Sequence, residues 1–96
     1  MIDYKLNFAP FRHLGKTRVS VAVILFQDGE ILNAVHLGYA HDENSAYKMD
    51  LEAANYLRGL LTTMELLGQE IPRRDVHYGD FFRPTLEILK NANAEI

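Results

Sequence analysis

The stretch from Arg18 to Ala40, RVSVAVILFQDGEILNAVHLGYA, decides the fold. Arg18 to Gln27 is rich in β-branched residues and apolar on both of its alternating faces, the pattern of a central strand. Asp28-Gly29 follows, a pair that readily adopts positive φ and closes two-residue hairpins. Ile31 to Ala40 is then the returning strand. Upstream, Ile2, Tyr4, Leu6 and Phe8 alternate with Asp3, Lys5 and Asn7, a period of two that reads as a strand with one buried face, ended by Pro10. His13 to Lys16 reads as a short polar loop around Gly15.

Downstream the period changes. A helix is expected from about Ser45 to Leu67, capped by Asn44 or Asp42 and stopped at Gly68. Gln69 to Arg74 reads as a linker, Val76 to Tyr78 as a short fourth strand, and Pro84 as the opening of a last helix to about Asn93. The expectation is one α+β domain over residues 1–96 in the order β-β-β-α-β-α, a three-stranded antiparallel meander with a long helix, a short fourth strand and a C-terminal helix.

Composition bounds the function. Cysteine is absent, so disulfides and thiolate metal sites are excluded. The longest apolar run, Val21 to Phe26, is too short to span a bilayer, and the N-terminus lacks the basic-then-apolar pattern of a signal peptide. A cytoplasmic protein without a membrane partner is expected. The net charge of −3 disfavours sequence-independent grip on a phosphate backbone.

Projected at 100° per residue, the long helix carries one misplaced carboxylate. With Asp50 at the origin, Ala54 and Leu61 fall within about 40° on one side, and Leu57 and Met64 within about 40° on the other. Asp50 therefore faces the sheet, where a carboxylate must be hydrogen-bonded, paired or metal-bound. It either accepts from a nearby backbone amide or arginine, or it is a ligand.

Met49-Asp50-Leu51-Glu52-Ala53-Ala54, after Asn44-Ser45, resembles the start of the first helix of ribonuclease H. Ala22 to Phe26, the Gly29 turn, Ile31 to Val35 and Leu37-Gly38-Tyr39 are similar to the strands before that helix. Asp75-Val76-His77-Tyr78-Gly79-Asp80 stands where the family has its fourth strand. The resemblance implies that Asp50 and Asp80 are metal ligands, for Mg²⁺ or Mn²⁺, of a two-metal phosphodiesterase. Asn7-Phe8-Ala9 replaces the family's first-strand Asp-Gly-Ser, and no counterpart of its last acid precedes Ile96. These departures imply a truncated, degenerate relative that binds without catalysis and needs no cofactor. The alternative is a nuclease using Asp50 and Asp80.

Other clusters carry less. Asp75-x-His77 with Gly79-Asp80 echoes metallophosphoesterases, whose pieces come from separate strands. His41-Asp42-Glu43 reads as a solvated loop that would need His13 or His36 to hold a metal. Arg73, Arg74, Tyr78, Phe81, Phe82 and Arg83 form a basic-aromatic patch able to stack on nucleic-acid bases or a protein. Equally, Phe81 and Phe82 anchor the last helix on the core. The partner is a protein or a nucleic acid; a small acidic inhibitor of the phage or mobile-element kind is a further alternative. An open sheet edge offers a route to a homodimer.

Overall fold

Two turns, each made by a pair of residues with positive φ, fold the N-terminal part of the chain into an antiparallel meander. Leu14 (φ 53°) and Gly15 (76°) join β1 (Ile2–His13) to β2 (Lys16–Gln27), and Asp28 (52°) and Gly29 (84°) join β2 to β3 (Glu30–Ala40). The computed structural model describes residues 1–71 and 76–94. Its sheet has the order β1-β2-β3, with β2 central as its doubly apolar pattern implied. The Asp28-Gly29 hairpin forms as read, its mirror-image turn matching the twist of the strands.

The first hairpin is longer than expected. β1 does not end at Pro10 but pairs on to His13, with Pro10 opposite Val19. An edge strand tolerates proline because its missing N–H faces away from the ladder. The expected polar loop at His13 to Lys16 shrinks to Leu14-Gly15.

Helix α1 (Glu43–Leu66) starts two residues before the expected point because Asp42 is its cap. Asp42 accepts from the Ser45 amide at 2.7 Å while the Ser45 hydroxyl accepts from the Asp42 amide at 3.1 Å, a reciprocal capping box. Chiefly through the Ser45 amide, and next through the Ser45 hydroxyl, the Asp42 carboxyl is held below the usual carboxylate range. At the other end Gly68 takes φ 87°, its amide reaches the Glu65 carbonyl and the Gln69 amide reaches that of Met64. That pair of bonds is the Schellman closure, for which glycine was the sequence signal.

Helix α2 (Phe82–Ala94) completes the fold. Pro84 falls within its first turn, where no intrahelical N–H is required. Both helices lie on one face of the sheet. Val19, Val21, Val23 and Leu25 of β2 pack there with Ala53, Leu57 and Leu61 of α1 and with Phe81 and Leu89. No helix among the described residues is long and apolar enough to cross a membrane.

The fourth strand expected over Val76 to Tyr78 does not form; Val76 and His77 are irregular and Tyr78 to Phe81 are turn. The backbone groups a ladder needs are taken by side chains. The Val76 carbonyl accepts from Arg58, the His77 amide donates to Asp80 and the Gly79 amide donates to Asp50.

Candidate functional site

Asp50 is 2% exposed, on the sheet-facing side of α1 as its helical phase required. Its two oxygens accept from three backbone amides of the turn before α2. Oδ1 receives Gly79 at 3.1 Å, Phe81 at 3.0 Å and Phe82 at 3.0 Å, and Oδ2 receives Gly79 at 2.9 Å. The carboxylate thus sits on the N-terminus of α2, where unpaired amides and the helix dipole favour an anion. The first turn of α2 is then fully accounted for. Asp50 takes the Phe81 and Phe82 amides, the Arg83 amide donates to the Gly79 carbonyl, and Pro84 has none. Of the readings open for Asp50, hydrogen bonding to backbone amides explains its burial without an ion.

Asp80 belongs to the turn whose amides Asp50 holds, and its own carboxylate serves that turn. Its Oδ2 accepts from the His77 amide at 2.9 Å, and its own amide donates to the His77 carbonyl. Gly79 holds φ 101°, a conformation costly for other residues, and this aims its amide at both Asp50 oxygens. The two acids that the resemblance pairs as ligands each accept from backbone amides of one turn, Asp80 from His77 and Asp50 from Gly79, Phe81 and Phe82. Among the described residues no three His, Asp or Glu side chains converge to hold a metal.

The basic-aromatic patch is divided. Arg73 and Arg74 lie outside the described residues. Phe81 is wholly buried, so it cannot stack on a partner as the patch required; it fills the core between α2 and the sheet. Phe82 is half-buried, edge-on to Tyr47 at 6.3 Å. Tyr78 is 52% exposed and Arg83 is exposed. The Tyr78 hydroxyl donates to Asn55 at 2.9 Å, and the Arg58 guanidinium lies 4.6 Å from the centre of its ring. Arg58 also donates from Nε to the Val76 carbonyl at 2.9 Å. The helical projection put Asn55 on the side of α1 away from the sheet, with no role; Arg58 went unnoticed, its only signal a polar position about two turns from Asp50. The histidines are scattered. His36 Nε2 is 3.0 Å from Ser20 Oγ, and His41 lies 3.4 Å from Asp42 at the α1 cap.

The other extended feature is the sheet face that no helix covers. Register puts Asp3, Lys5, Asn7, Ala9 and Phe11 of β1 on this face, opposite Phe26, Ile24, Ala22, Ser20 and Arg18 of β2. On β3 the matching residues are Ile31, Ala34, His36 and Tyr39. Every β2 residue of this face is only half-buried, whereas Val19, Val21, Val23 and Leu25 on the other face are fully buried. Ile31 is 69% exposed and Tyr39 56%, and the Phe11 and Tyr39 rings meet edge-on across β2 at 6.4 Å. Arg18 lies among them with a buried Nε that has no hydrogen-bond partner among the described residues.

No protein-family model, curated protein or solved structure matches this chain.

Proposed function

We propose that this chain is a non-catalytic protein-binding module on a shortened ribonuclease H-like topology, with the helix-free face of the sheet as its contact surface. One observation carries the reading: a central strand apolar on both sides has only one side fully buried, the other half-buried. Ile24 and Phe26, flanked by Ile31, Tyr39 and Phe11, make an apolar surface of the kind that marks interaction sites on folded proteins. The three antiparallel strands followed by a helix with an inward acid support the topological part of the proposal. The engagement of Asp50 by four amide contacts supports the non-catalytic part, since cleavage through two metals needs converging carboxylates free to ligate. A protein is favoured over a nucleic acid because the net charge is −3.

The test is site-specific photo-crosslinking in the source cells. A benzophenone side chain at Ala34, on the open face, is expected to yield discrete protein adducts, and one at Tyr56, on the outer side of α1, is not. Adducts equal from both positions, or none from Ala34, refute the reading. In parallel, the purified protein is incubated with an RNA–DNA hybrid, single-stranded RNA and duplex DNA, each with Mg²⁺ or Mn²⁺. Cleavage that disappears in Asp80→Asn promotes the nuclease alternative.

A further inference from the structure

We infer that the β1–β2 hairpin is a binding arm whose exposed tip residue, Leu14, with Arg12, Lys16 and Arg18 behind it, docks on an acidic segment of a partner protein. This rests on the reading of the chain as a protein-binding module and names the charge of what it binds. β3 ends at Ala40, opposite Val19, so Lys16, Thr17 and Arg18 of β2 pair with β1 alone. From Phe11 to Arg18 the chain is a two-stranded ribbon that runs past the third strand, and every residue from Pro10 to Lys16 is exposed. Residues 5–27 contain no aspartate or glutamate. Residues 10–18 carry a charge of +3 against −6 for the rest of the chain, a segregation that the overall −3 conceals.

Among the described residues no acid pairs with the arm: Arg12, Lys16 and Arg18 enter no ion pair there. Arg12 Nη2 donates to the Gly15 carbonyl at 2.9 Å, which holds a charged fork against the tip without cancelling it. The buried Nε of Arg18 has no acceptor among the described residues. Asp42, two residues past the end of β3, caps α1 through Ser45 and stands 3.4 Å from His41. Lys16 is the weakest of the influences that lower its carboxyl, after the Ser45 amide, the Ser45 hydroxyl and His41.

The tip adds an apolar anchor. Both turns of the meander take the same backbone shape, with φ of 53° and 76° at Leu14-Gly15 and 52° and 84° at Asp28-Gly29. Aspartate tolerates this conformation because its short side chain hydrogen-bonds locally, whereas leucine has no such compensation. Leu14 is 84% exposed, so packing does not offset the strain. Strain kept at a solvent-facing apolar residue amid cations marks a contact position, an anchor with a charged rim. A long phosphate backbone fits the arm less well. The arm offers three cations where a firm grip uses about 6–10 contacts, and the −6 of the remaining chain repels the continuing strand. A lipid surface also fits less well, because one leucine buries far less than the single acyl chain that by itself gives marginal attachment.

Short random peptides displayed on phage are selected on the immobilised protein, and the enriched sequences are synthesised and titrated by fluorescence anisotropy. The expected peptides combine several Asp or Glu with an apolar residue, and their affinity falls as salt is raised. Arg12→Glu, Lys16→Glu and Arg18→Glu are each expected to weaken binding about tenfold, and Tyr56→Lys, on the outer side of α1, to leave it unchanged. Leu14→Asn is expected to weaken binding about tenfold while melting at or above the wild-type temperature, a combination that a folding defect cannot produce. Enriched peptides without net negative charge, binding that the arm variants retain, or no enrichment at all overturns the inference. Neutral peptides lost in Ala34→Lys and kept by the arm variants overturn it while leaving the helix-free face as the contact surface. Acidic peptides lost in the arm variants and kept by Ala34→Lys uphold it and confine the contact to the arm. Tighter retention of duplex DNA or of phosphatidylserine vesicles than of any peptide removes the protein partner and overturns it as well.

Discussion

Replacing Asp50 by Asn alters one atom and one charge at the junction of α1 with α2, and the structure allows its cost to be worked out. The asparagine oxygen can keep the Oδ1 position and go on accepting from Gly79, Phe81 and Phe82. Its NH₂ group must then stand where Oδ2 receives the Gly79 amide at 2.9 Å, donor against donor. A buried donor left without an acceptor costs about 1–3 kcal/mol. The remaining bonds lose their charge assistance, and α2 loses an anion at its N-terminus, worth up to about 2 kcal/mol in a partly buried setting. The expected loss is about 2–4 kcal/mol, and for Asp50→Ala about 3–5 kcal/mol, as when one partner of any buried charged network is removed. A 96-residue domain has only about 5–14 kcal/mol in total. Urea unfolding followed by circular dichroism measures the loss, and native-state hydrogen exchange locates it. The Gly79, Phe81 and Phe82 amides should lose protection before those of β2. A loss below about 1 kcal/mol for Asp50→Asn, or unchanged protection at these three amides, refutes the assignment of Asp50 as the anchor of α2.

Three further outcomes follow from particular residues. Thr85 is fully buried with no partner for its hydroxyl among the described residues, so Thr85→Val should raise stability by about 1 kcal/mol in urea unfolding; a decrease would mean the hydroxyl is bonded. Leu14 is 84% exposed and held at φ 53°, where a side chain branched like leucine costs about 1–2 kcal/mol. Leu14→Asn makes the turn Asn-Gly and should raise the thermal midpoint by roughly 4–8 °C per kcal/mol gained, whereas no rise would show that the turn relaxes. The Asp42 carboxyl is held below its ordinary value of 3.8, so its folded form stabilises α1 above that pH and loses this contribution as pH falls through the lowered value. The difference in urea midpoint between wild type and Asp42→Ala should therefore be present near neutrality and close in acid; a difference independent of pH would count against the cap.

Local chemistry was legible in the sequence wherever a few neighbouring residues settle the matter. Asp28-Gly29 specified its hairpin because both residues reach positive φ cheaply, and the double-sided apolar run of β2 specified a central strand. The 3.6-residue period put Asp50 under α1, and Gly68 marked the helix end. Position in the sheet was not local, so Pro10 was read as a stop although it lies on an edge that never needed its N–H. Val76 to Tyr78 has the alternation of a strand, yet two side chains, Arg58 at the Val76 carbonyl and Asp80 at the His77 amide, claim its backbone groups first, while Asp50 holds the Gly79 amide that follows. Phe81 shows the same limit: next to arginines it looks like part of a surface patch, and the amides that Asp50 captures turn it into the core. Only the tertiary structure decided which side of β2 the helices cover. Both sides are apolar, and a strand's own pattern has no means of recording that the second one is left open.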